Sequence, residues 1–201
     1  IGGASVIWLA GFKIKFFLYS FLTLVCFLPV AISFLKPYQK SRILTFFDPE
    51  RDPLGAGYQI IQSKIAVGSG GIFGKGFLQG SQSYLDYLPE KHTDFIFTLF
   101  SEEFGFVGSL VLLLIYIMII QRIVAIGKQS KSNFSKLYCF GFAAEFFNYV
   151  EVNMSMVLGL LPIVGAPLPI MSYGGSAMLS MMIGLGIVMS CKIYHASELS
   201  K

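Results

Sequence analysis

The chain has 201 residues, of which 55% are hydrophobic and 13% are charged, and its formal net charge is +4. An ordinary soluble domain carries about 25% charged residues and cannot bury this much apolar surface, so the composition excludes a soluble globular protein. No block of like charge indicates a nucleic-acid partner, and the three cysteines are too far apart in sequence for a CxxC-type metal or redox motif, which leaves them as small buried hydrophobic residues.

The apolar residues are grouped into runs long enough to cross a bilayer, which takes about 20 helical residues. Residues 1–11 are apolar, without a basic segment before them or a convincing cleavage site after them, so we expect the end of a truncated helix. The sequence therefore predicts an all-α, polytopic transmembrane helix bundle. Its predicted spans are residues 14–35, 95–121, 137–161 and 172–191.

Residues 36–94 are more polar, contain four prolines and have a glycine-dense centre, which predicts a long loop outside the hydrocarbon. Within this loop, residues 41–47 and 58–65 mix aromatic and aliphatic side chains with basic and amide groups, as short interfacial helices do. We therefore expect the loop to lie on the membrane surface.

Basic residues are concentrated in the short segments at the ends of the spans, namely the turn with Lys13 and Lys15, the connector at residues 122–136 and the C-terminal tail. Short cytoplasmic segments carry such an excess of lysine and arginine, so these segments are predicted to be cytoplasmic. The long loop, and the proline- and glycine-rich break that follows the third span, then face outward.

The glycine-dense run Gly68-Ser-Gly-Gly-Ile-Phe-Gly-Lys-Gly76 invites comparison with phosphate-binding loops. A Walker A motif needs glycine and then serine or threonine at the positions of Ser69 and Gly76, and a dinucleotide motif starting at Gly68 needs glycine in place of Phe73. Nucleotide binding is therefore not predicted. Two interpretations stay open: a turn-rich loop, and a close approach of the backbone to an anionic headgroup.

An ionisable cluster, Leu88-Pro-Glu-Lys-His-Thr-Asp94, stands where the long loop meets the second span. Asp94 lies at the boundary between water and hydrocarbon, where partial desolvation favours the protonated carboxyl group and makes the carboxylate a competent general base. The alternative is a helix cap, whose side chain accepts hydrogen bonds from the first free N–H groups of the helix. The residues alone leave both interpretations open.

Acidic and amide side chains also lie inside the predicted spans, where they are costly unless they face a polar cavity or find a partner. Glu102 is eight residues from Asp94 and projects near the same helix face, so it would line a cavity or make an interhelical hydrogen bond, whereas Glu103 points elsewhere. Polar residues of the third span would form interhelical hydrogen bonds or, less favoured, a proton path. They are Glu145, Asn148, Glu151 and Asn153.

Ordered motifs cover most of residues 48–190. They are Asp52-Pro-Leu-Gly-Ala-Gly-Tyr-Gln59, Gln62-Ser-Lys-Ile-Ala-Val-Gly-Ser-Gly-Gly71, Gly80-Ser-Gln-Ser83, Leu88-Pro-Glu-Lys-His-Thr-Asp-Phe-Ile-Phe97, Glu102-Glu-Phe-Gly105 and Gly159-Leu-Leu-Pro-Ile-Val-Gly-Ala-Pro-Leu-Pro-Ile-Met-Ser-Tyr-Gly-Gly-Ser176. With these motifs the chain resembles the SEDS family of bacterial wall-synthesis proteins, which includes RodA, FtsW and SpoVE. The Gly-Ser-Gln-Ser motif favours RodA over FtsW.

The resemblance implies a ten-span helical bundle, of which this chain would be the C-terminal half and residues 36–94 the large extracellular loop. It implies a RodA-type peptidoglycan glycosyltransferase that polymerises lipid II on the outer face of the bacterial cytoplasmic membrane, for cell elongation and rod shape. A class B penicillin-binding protein and the elongation machinery would be its partners. A bundle without half of its helices exposes packing surfaces, so we expect this piece alone to be inactive.

The resemblance also implies that Asp94 is the essential acidic residue of the loop. Glycan extension needs a base at the attacking sugar hydroxyl, which Asp94 would be, and positive charge at the leaving pyrophosphate. A divalent cation such as Mg²⁺ would share that second role with basic residues of the loop. The substrate-binding candidates are Lys64, Lys75, Lys91, His92 and Glu102, with Arg42 and Arg51 as further cations.

Two other functions stay open at this stage. A flippase for lipid-linked precursors would fit the intramembrane acids and the broken helix at residues 162–175, but its functional charges should lie near the membrane midplane rather than at the outer face. A non-catalytic scaffold of the elongation machinery would tolerate replacement of Asp94. Glu145 and Glu151 depart from the family pattern, in which apolar or aromatic residues are usual at these positions, and their roles stay open.

Overall fold

The computed structural model describes residues 14–34, 36–48, 52, 55–80 and 92–199, and over these residues it contains helices and no strand. This confirms the all-α prediction. The apolar residues 1–11 and the turn with Lys13 lie outside the described residues. The helices are α1 (Ile14–Phe34), α2 (Pro37–Phe47), α3 (Ala56–Ser69), α4 (Ile96–Gln129), α5 (Asn133–Val157) and α6 (Gly175–Leu199).

Two stretches of helix are long and apolar enough to cross a bilayer, Ile96–Gln129 and Gly175–Ile193. Large apolar side chains along both stretches are exposed, which suits a hydrocarbon environment and not water. The predicted second and fourth spans therefore coincide with apolar helices of membrane length. The division of the chain into four spans stays a prediction.

Helix ends differ from those predicted from hydropathy. Helix α4 continues through Arg122 and Lys128 to Gln129, so the predicted connector at residues 122–136 is reduced to residues 130–132. Arginine, glutamine and lysine are strong helix formers, so the helix can continue beyond the apolar stretch that the hydrocarbon requires. Loss of apolar character marks the bilayer boundary rather than the end of the helix.

Helix α5 ends at Val157, earlier than the predicted span, in a Schellman motif. The Gly159 N–H donates to the Met156 carbonyl at 3.0 Å and the Leu160 N–H donates to the Ser155 carbonyl at 2.8 Å. Gly159 has φ +68°, a conformation that glycine adopts without steric cost. The chain then continues into residues 162–174, here called the proline loop, and α6 begins at Gly175.

Two apolar clusters hold α3 to α6 together. Tyr116 of α4 lies in the larger cluster and donates its hydroxyl to the Pro169 carbonyl at 2.9 Å, which fixes the proline loop to α4. The larger cluster consists of Ile60, Phe95, Phe97, Tyr116, Phe146, Val150, Met154, Met156, Val157, Ile163, Leu168 and Met181. The smaller cluster consists of Ile123, Cys139, Ala143, Val188 and Cys191.

The cysteines are buried as predicted at positions 139 and 191, but Cys26 on α1 is exposed. The prediction for Cys26 was wrong because an apolar thiol fits a lipid-facing position as well as a protein core.

The long loop contains two helices, α2 and α3, where the sequence predicts short helices at residues 41–47 and 58–65. Helix α3 packs on α4 and α5 with Ile60 and Ala66 buried. Its Ser63 hydroxyl lies 2.9 Å from the Val157 carbonyl oxygen. Helix α3 is therefore part of the helical bundle, with one face packed on its neighbours.

Candidate active site

Asp94 lies in a turn at residues 92–95, immediately before α4, which we call the Asp94 turn. Helix α4 begins at Ile96, and its N-cap residue is Phe95, whose side chain is buried and makes no capping hydrogen bond. The N-cap position thus falls one residue after Asp94. The interpretation of the Asp94 side chain as a helix cap stays an alternative to its interpretation as a general base.

The main chain of the Asp94 turn is bonded to the proline loop. The Tyr173 N–H donates to the His92 carbonyl at 2.9 Å. The Ser172 hydroxyl donates to the Thr93 carbonyl at 2.6 Å and accepts from the Leu168 N–H at 2.7 Å. The buried Ser172 side chain therefore joins the turn to the loop through both of its hydrogen-bonding capacities.

The next carbonyl of the turn is bonded to α5. The side-chain amide of Asn153 donates to the Asp94 carbonyl at 2.8 Å and to the Ala166 carbonyl at 2.7 Å. Asn153 is fully buried. Three consecutive carbonyl groups of the turn, those of residues 92, 93 and 94, thus accept hydrogen bonds from other elements of the bundle.

The Asp94 carboxylate lies against the proline loop. A Cβ atom built on Gly165 would be 3.3 Å from Oδ2 of Asp94, and Gly165 has φ +72°. Asp94 is half-buried, which is the partly desolvated position expected of a carboxylate that accepts a proton.

Lys75 and Glu102, two of the predicted substrate-binding residues, form an ion pair. The Lys75 Nζ lies 2.7 Å from Glu102 Oε1, and Glu102 is fully buried whereas the Lys75 side chain is 29% exposed. A buried carboxylate is costly unless it is paired. The sequence left a cavity and an interhelical hydrogen bond as alternatives for Glu102, whereas its observed partner is a lysine of the long loop.

Helix α4 is broken at Gly105, which has φ +67° and ψ −162°. The break leaves the N–H groups of Phe106 and Val107 without the carbonyl partners that a continuous helix would provide. They donate instead to the carbonyls of Gly71 and Ile72, at 2.9 and 3.1 Å. Both acceptors belong to residues 70–76, which we call the glycine segment.

The same break frees the carbonyls of Glu102 and Glu103, which accept from the N–H groups of Lys75 and Gly76 at 3.0 Å each. Four backbone groups released by α4 are thus bonded to the glycine segment, as a helix break at membrane depth requires. These two N–H groups of the glycine segment therefore donate within the chain. The run forms turns, and an approach of its backbone to an anionic headgroup stays a prediction.

The remaining predicted substrate-binding residues lie apart from one another. Lys64 of α3 is exposed, and its Nζ is 2.6 Å from the position that a Cβ on Gly159 would occupy, at the C-terminal end of α5, where the helix dipole favours positive charge. The His92 side chain is exposed. Lys91 lies outside the described residues, as do Arg51 and the side chain of Arg42.

The polar residues of α5 lie in different surroundings. A cavity of about 230 Å³ between α5, the proline loop and α6 is lined by Glu145 and Tyr149, among others. Glu151 is exposed. Asn153 therefore makes polar links of the kind that the sequence predicts, whereas Asn148 is partly exposed and the roles of Glu145 and Glu151 stay open.

Over the described ranges no group of three or more His, Cys, Asp and Glu side chains could hold a metal ion. Magnesium is commonly held by one or two carboxylates together with phosphate oxygens of the substrate, so the Mg²⁺ expected at the pyrophosphate stays a prediction.

Sequence reasoning missed the helix break at Gly105 and the role of Ser172, which it placed in the fourth span. For Ser172, the sequence Ser-Tyr-Gly-Gly, which begins three residues after Pro169, is typical of a loop and could have corrected the span boundary. For Gly105, a glycine three residues before another glycine in an apolar helix is too common a pattern to indicate a break.

The chain is similar in sequence to known proteins. A sequence model described as "Cell cycle protein", for FtsW, RodA and SpoVE, matches residues 1–197. The peptidoglycan glycosyltransferase MrdB of Escherichia coli strain K12 is 48% identical over 202 residues, which are 100% of this chain and 54% of that protein. The peptidoglycan glycosyltransferase RodA of Treponema pallidum strain Nichols is 44% identical over 161 residues, covering 80% of this chain and 37% of that protein.

A solved structure is also similar. One chain of a peptidoglycan synthase complex that coordinates polymerization and crosslinking superposes with a TM-score of 0.75 and 35% sequence identity, covering 98% of this chain and 53% of that chain. The chain spans about half the length of the curated relatives it matches most fully. From the match over residues 1–197 and the identity over the whole chain, we conclude that the chain belongs to the FtsW/RodA/SpoVE family.

Proposed function

We propose that the full-length protein is a RodA-type peptidoglycan glycosyltransferase, which joins the disaccharide units of lipid II into glycan strands. The observation that carries the proposal is the half-buried Asp94 carboxylate, held against Gly165, in a chain that is 48% identical over its whole length to the peptidoglycan glycosyltransferase MrdB. Because the chain spans about half of that relative, the activity is proposed for the full-length protein.

In the proposed reaction, the oxygen of an acceptor sugar hydroxyl forms a bond to the anomeric carbon of the donor sugar. The bond between that carbon and the pyrophosphate oxygen breaks, and its electron pair leaves with the polyprenyl pyrophosphate. The hydroxyl proton passes to the Asp94 carboxylate. A positioned base of this kind contributes roughly 10²- to 10⁴-fold to the rate.

The cation at the leaving pyrophosphate is proposed to be Lys64. Lys75 is balanced by Glu102, whereas Lys64 is exposed at the end of α5. Lys64 lies against Gly159 and Asp94 lies against Gly165, six residues further along the chain. Because six residues span at most roughly 20 Å, the proposed cation and the proposed base would lie at the same end of the bundle.

The orientation is proposed from charge. Arg122 and Lys128 lie toward the end of α4 opposite to Asp94, and Lys131 follows α4 directly. Short segments with such an excess of positive charge are cytoplasmic, so the Asp94 turn and the long loop would face outward in the cytoplasmic membrane. Similarity to one chain of a peptidoglycan synthase complex supports a class B penicillin-binding protein as partner, within the elongation machinery.

The test uses the full-length protein, purified in detergent together with its transpeptidase partner, and measures glycan polymer formed from labelled lipid II. Detergent removes any need to move the lipid across a membrane, so polymer formation separates a polymerase from a flippase. Asp94→Asn keeps the size of the side chain and removes the base. Asp48→Asn, at an exposed position that ends α2, is the matched control.

We expect Asp94→Asn to lose at least about 100-fold of the polymerisation rate, since a positioned base contributes 10²- to 10⁴-fold, while Asp48→Asn keeps the wild-type rate. Undiminished polymer from a folded, partner-bound Asp94→Asn would show that Asp94 is not the base. Absence of polymer from the wild-type complex, with lipid II transport retained in vesicles, would favour the flippase.

A further inference from the structure

The Asp94 turn is held by side chains that do not touch the Asp94 carboxylate. The hydroxyl of Ser172 and the amide of Asn153 bind the carbonyl groups of Thr93 and Asp94. Both side chains are buried. They therefore act on the backbone that carries the carboxylate.

The Asn153 amide links the backbone of Asp94 to the part of the proline loop against which the Asp94 carboxylate lies. One amide nitrogen donates to the Asp94 carbonyl at 2.8 Å and to the Ala166 carbonyl at 2.7 Å, and Ala166 follows Gly165, the residue next to the carboxylate. Displacement of this amide would move the base and its neighbouring backbone relative to each other.

Burial of the Asn153 side chain also costs free energy. Among the described residues, its buried Oδ1 atom has no hydrogen-bond partner. An apolar side chain of similar size would avoid that cost and still fill the space, as the apolar residues Val150, Met154 and Val157 around it do. A buried polar residue that core packing does not require indicates a role in positioning the turn.

The Ser172 hydroxyl both donates and accepts a hydrogen bond at this junction. It donates to Thr93 at 2.6 Å and accepts from Leu168 at 2.7 Å, while its own N–H donates to the Leu168 carbonyl at 3.0 Å. Alanine at this position would remove the hydroxyl that binds the Thr93 carbonyl and the N–H of the buried Leu168.

We propose that Asn153 and Ser172 are positioning residues, which set the location of the Asp94 carboxylate for proton transfer. The inference rests on the proposed function of Asp94 as the base. A base must lie about 2.6 to 3.2 Å from the oxygen whose proton it takes, and a displacement of about 1 Å costs on the order of 100-fold in rate. Loss of either side chain therefore lowers kcat, whereas KM for lipid II changes little, because both side chains are buried and bind backbone carbonyls.

The experiment measures kcat and KM for lipid II polymerisation by the full-length protein with its transpeptidase partner. The variants are Asn153→Leu, which keeps the branching of the side chain at Cγ and removes both hydrogen bonds, and Ser172→Ala, with Ser172→Thr as the conservative variant. Matched controls are Asn148→Leu on the same helix, where the side chain is partly exposed, and Ser180→Ala, whose hydroxyl bonds only within α6 to the Ala177 carbonyl. Rates are normalised to folded, partner-bound protein, and thermal unfolding is recorded for each variant.

We expect kcat to fall about 10- to 100-fold in Asn153→Leu and Ser172→Ala, with KM within about two-fold of wild type. Ser172→Thr retains the hydroxyl and should keep at least about half of the wild-type kcat, as should both controls. An Asn153→Leu protein with wild-type kcat, or a variant whose loss lies in KM alone, would overturn the proposal. A fall in kcat that disappears after normalisation to folded protein would do the same.

Asp94→Asn is measured in parallel, so that the two proposals fail separately. If Asp94→Asn keeps its rate, the assignment of the base is wrong. If Asp94→Asn loses its rate while Asn153→Leu and Ser172→Ala keep theirs, the base stands and the positioning role is wrong.

Discussion

Lys75 Nζ lies 2.7 Å from Glu102 Oε1, and this ion pair joins the glycine segment to the last turn of α4 before its break. The two residues are 27 positions apart in sequence. The pair adds a side-chain link to the four backbone hydrogen bonds between the same two segments. It also explains why Lys75, though a cation of the long loop, is not the one proposed at the pyrophosphate.

Removal of one partner of this pair should destabilise the protein more than removal of both. Glu102→Gln and Lys75→Met each leave a charge or a buried polar group uncompensated, and we expect each to cost about 1 to 3 kcal/mol, below the usual range for buried pairs because Lys75 is partly exposed. The double variant should be more stable than the sum of the single effects predicts. Thermal unfolding of the full-length protein in detergent compares the stability of the wild type, the two single variants and the double variant. Glu103→Gln is the neighbouring control. Additive effects would show that the two charges are not coupled.

Gly105→Ala should be strongly destabilising. A Cβ atom at Gly105 would contact the Gly74 nitrogen and lie 2.7 Å from the Ile72 carbonyl oxygen, and alanine at φ +67° costs a further 1 to 2 kcal/mol or so. Gly186→Ala is the matched control, because a Cβ there meets no atom within 4 Å and alanine favours the helix by up to about 1 kcal/mol. We expect Tm to fall in the first variant and to stay or rise in the second. Equal Tm values would contradict the observed break.

Lys64→Gln should weaken the binding of lipid II. A charge-assisted hydrogen bond contributes about 1.5 to 3 kcal/mol, so the loss should raise KM at least about 10-fold. Lys40→Gln, at an exposed position of α2, is the control that removes the same charge from another part of the long loop. Steady-state polymerisation with increasing lipid II measures both. An equal, small change in the two variants would show that Lys64 acts only through the general charge of the loop.

Single cysteines at Gln79 and Gln129 should react from opposite sides of the membrane. Both positions are exposed, one after the glycine segment and one at the end of α4. In a background whose three native cysteines are alanine, a membrane-impermeant maleimide should label Gln79→Cys in spheroplasts and Gln129→Cys only after the membrane is opened. Labelling in the reverse order would invert the proposed orientation.

The helices and the position of Asp94 could be predicted from the sequence because they depend on local patterns. Apolar runs of membrane length, and the change from polar to apolar residues after Asp94, predict α4 and its N-terminal end to within a few residues. The helix-forming residues after Ile120 carried α4 further than hydropathy indicates.

The links between distant segments could not be predicted. Lys75 and Glu102 are 27 positions apart, and Asn153 is 59 positions from Asp94, whose carbonyl it binds. A local sequence pattern does not indicate contacts between such distant residues. Sequence alone placed Lys75 and Glu102 among the substrate-binding candidates because both carry charge near the outer face. Their mutual bond is a property of the packed bundle.

The break in α4 also sets the order in which the chain can be assembled. An unbroken helix satisfies its own backbone and can enter the bilayer by itself, whereas this one needs four partners from the glycine segment. That segment precedes α4 in the chain, so it is synthesised first and is available when α4 emerges from the ribosome. Folding of the glycine segment and completion of α4 are thereby coupled, because each provides hydrogen-bond partners for the other.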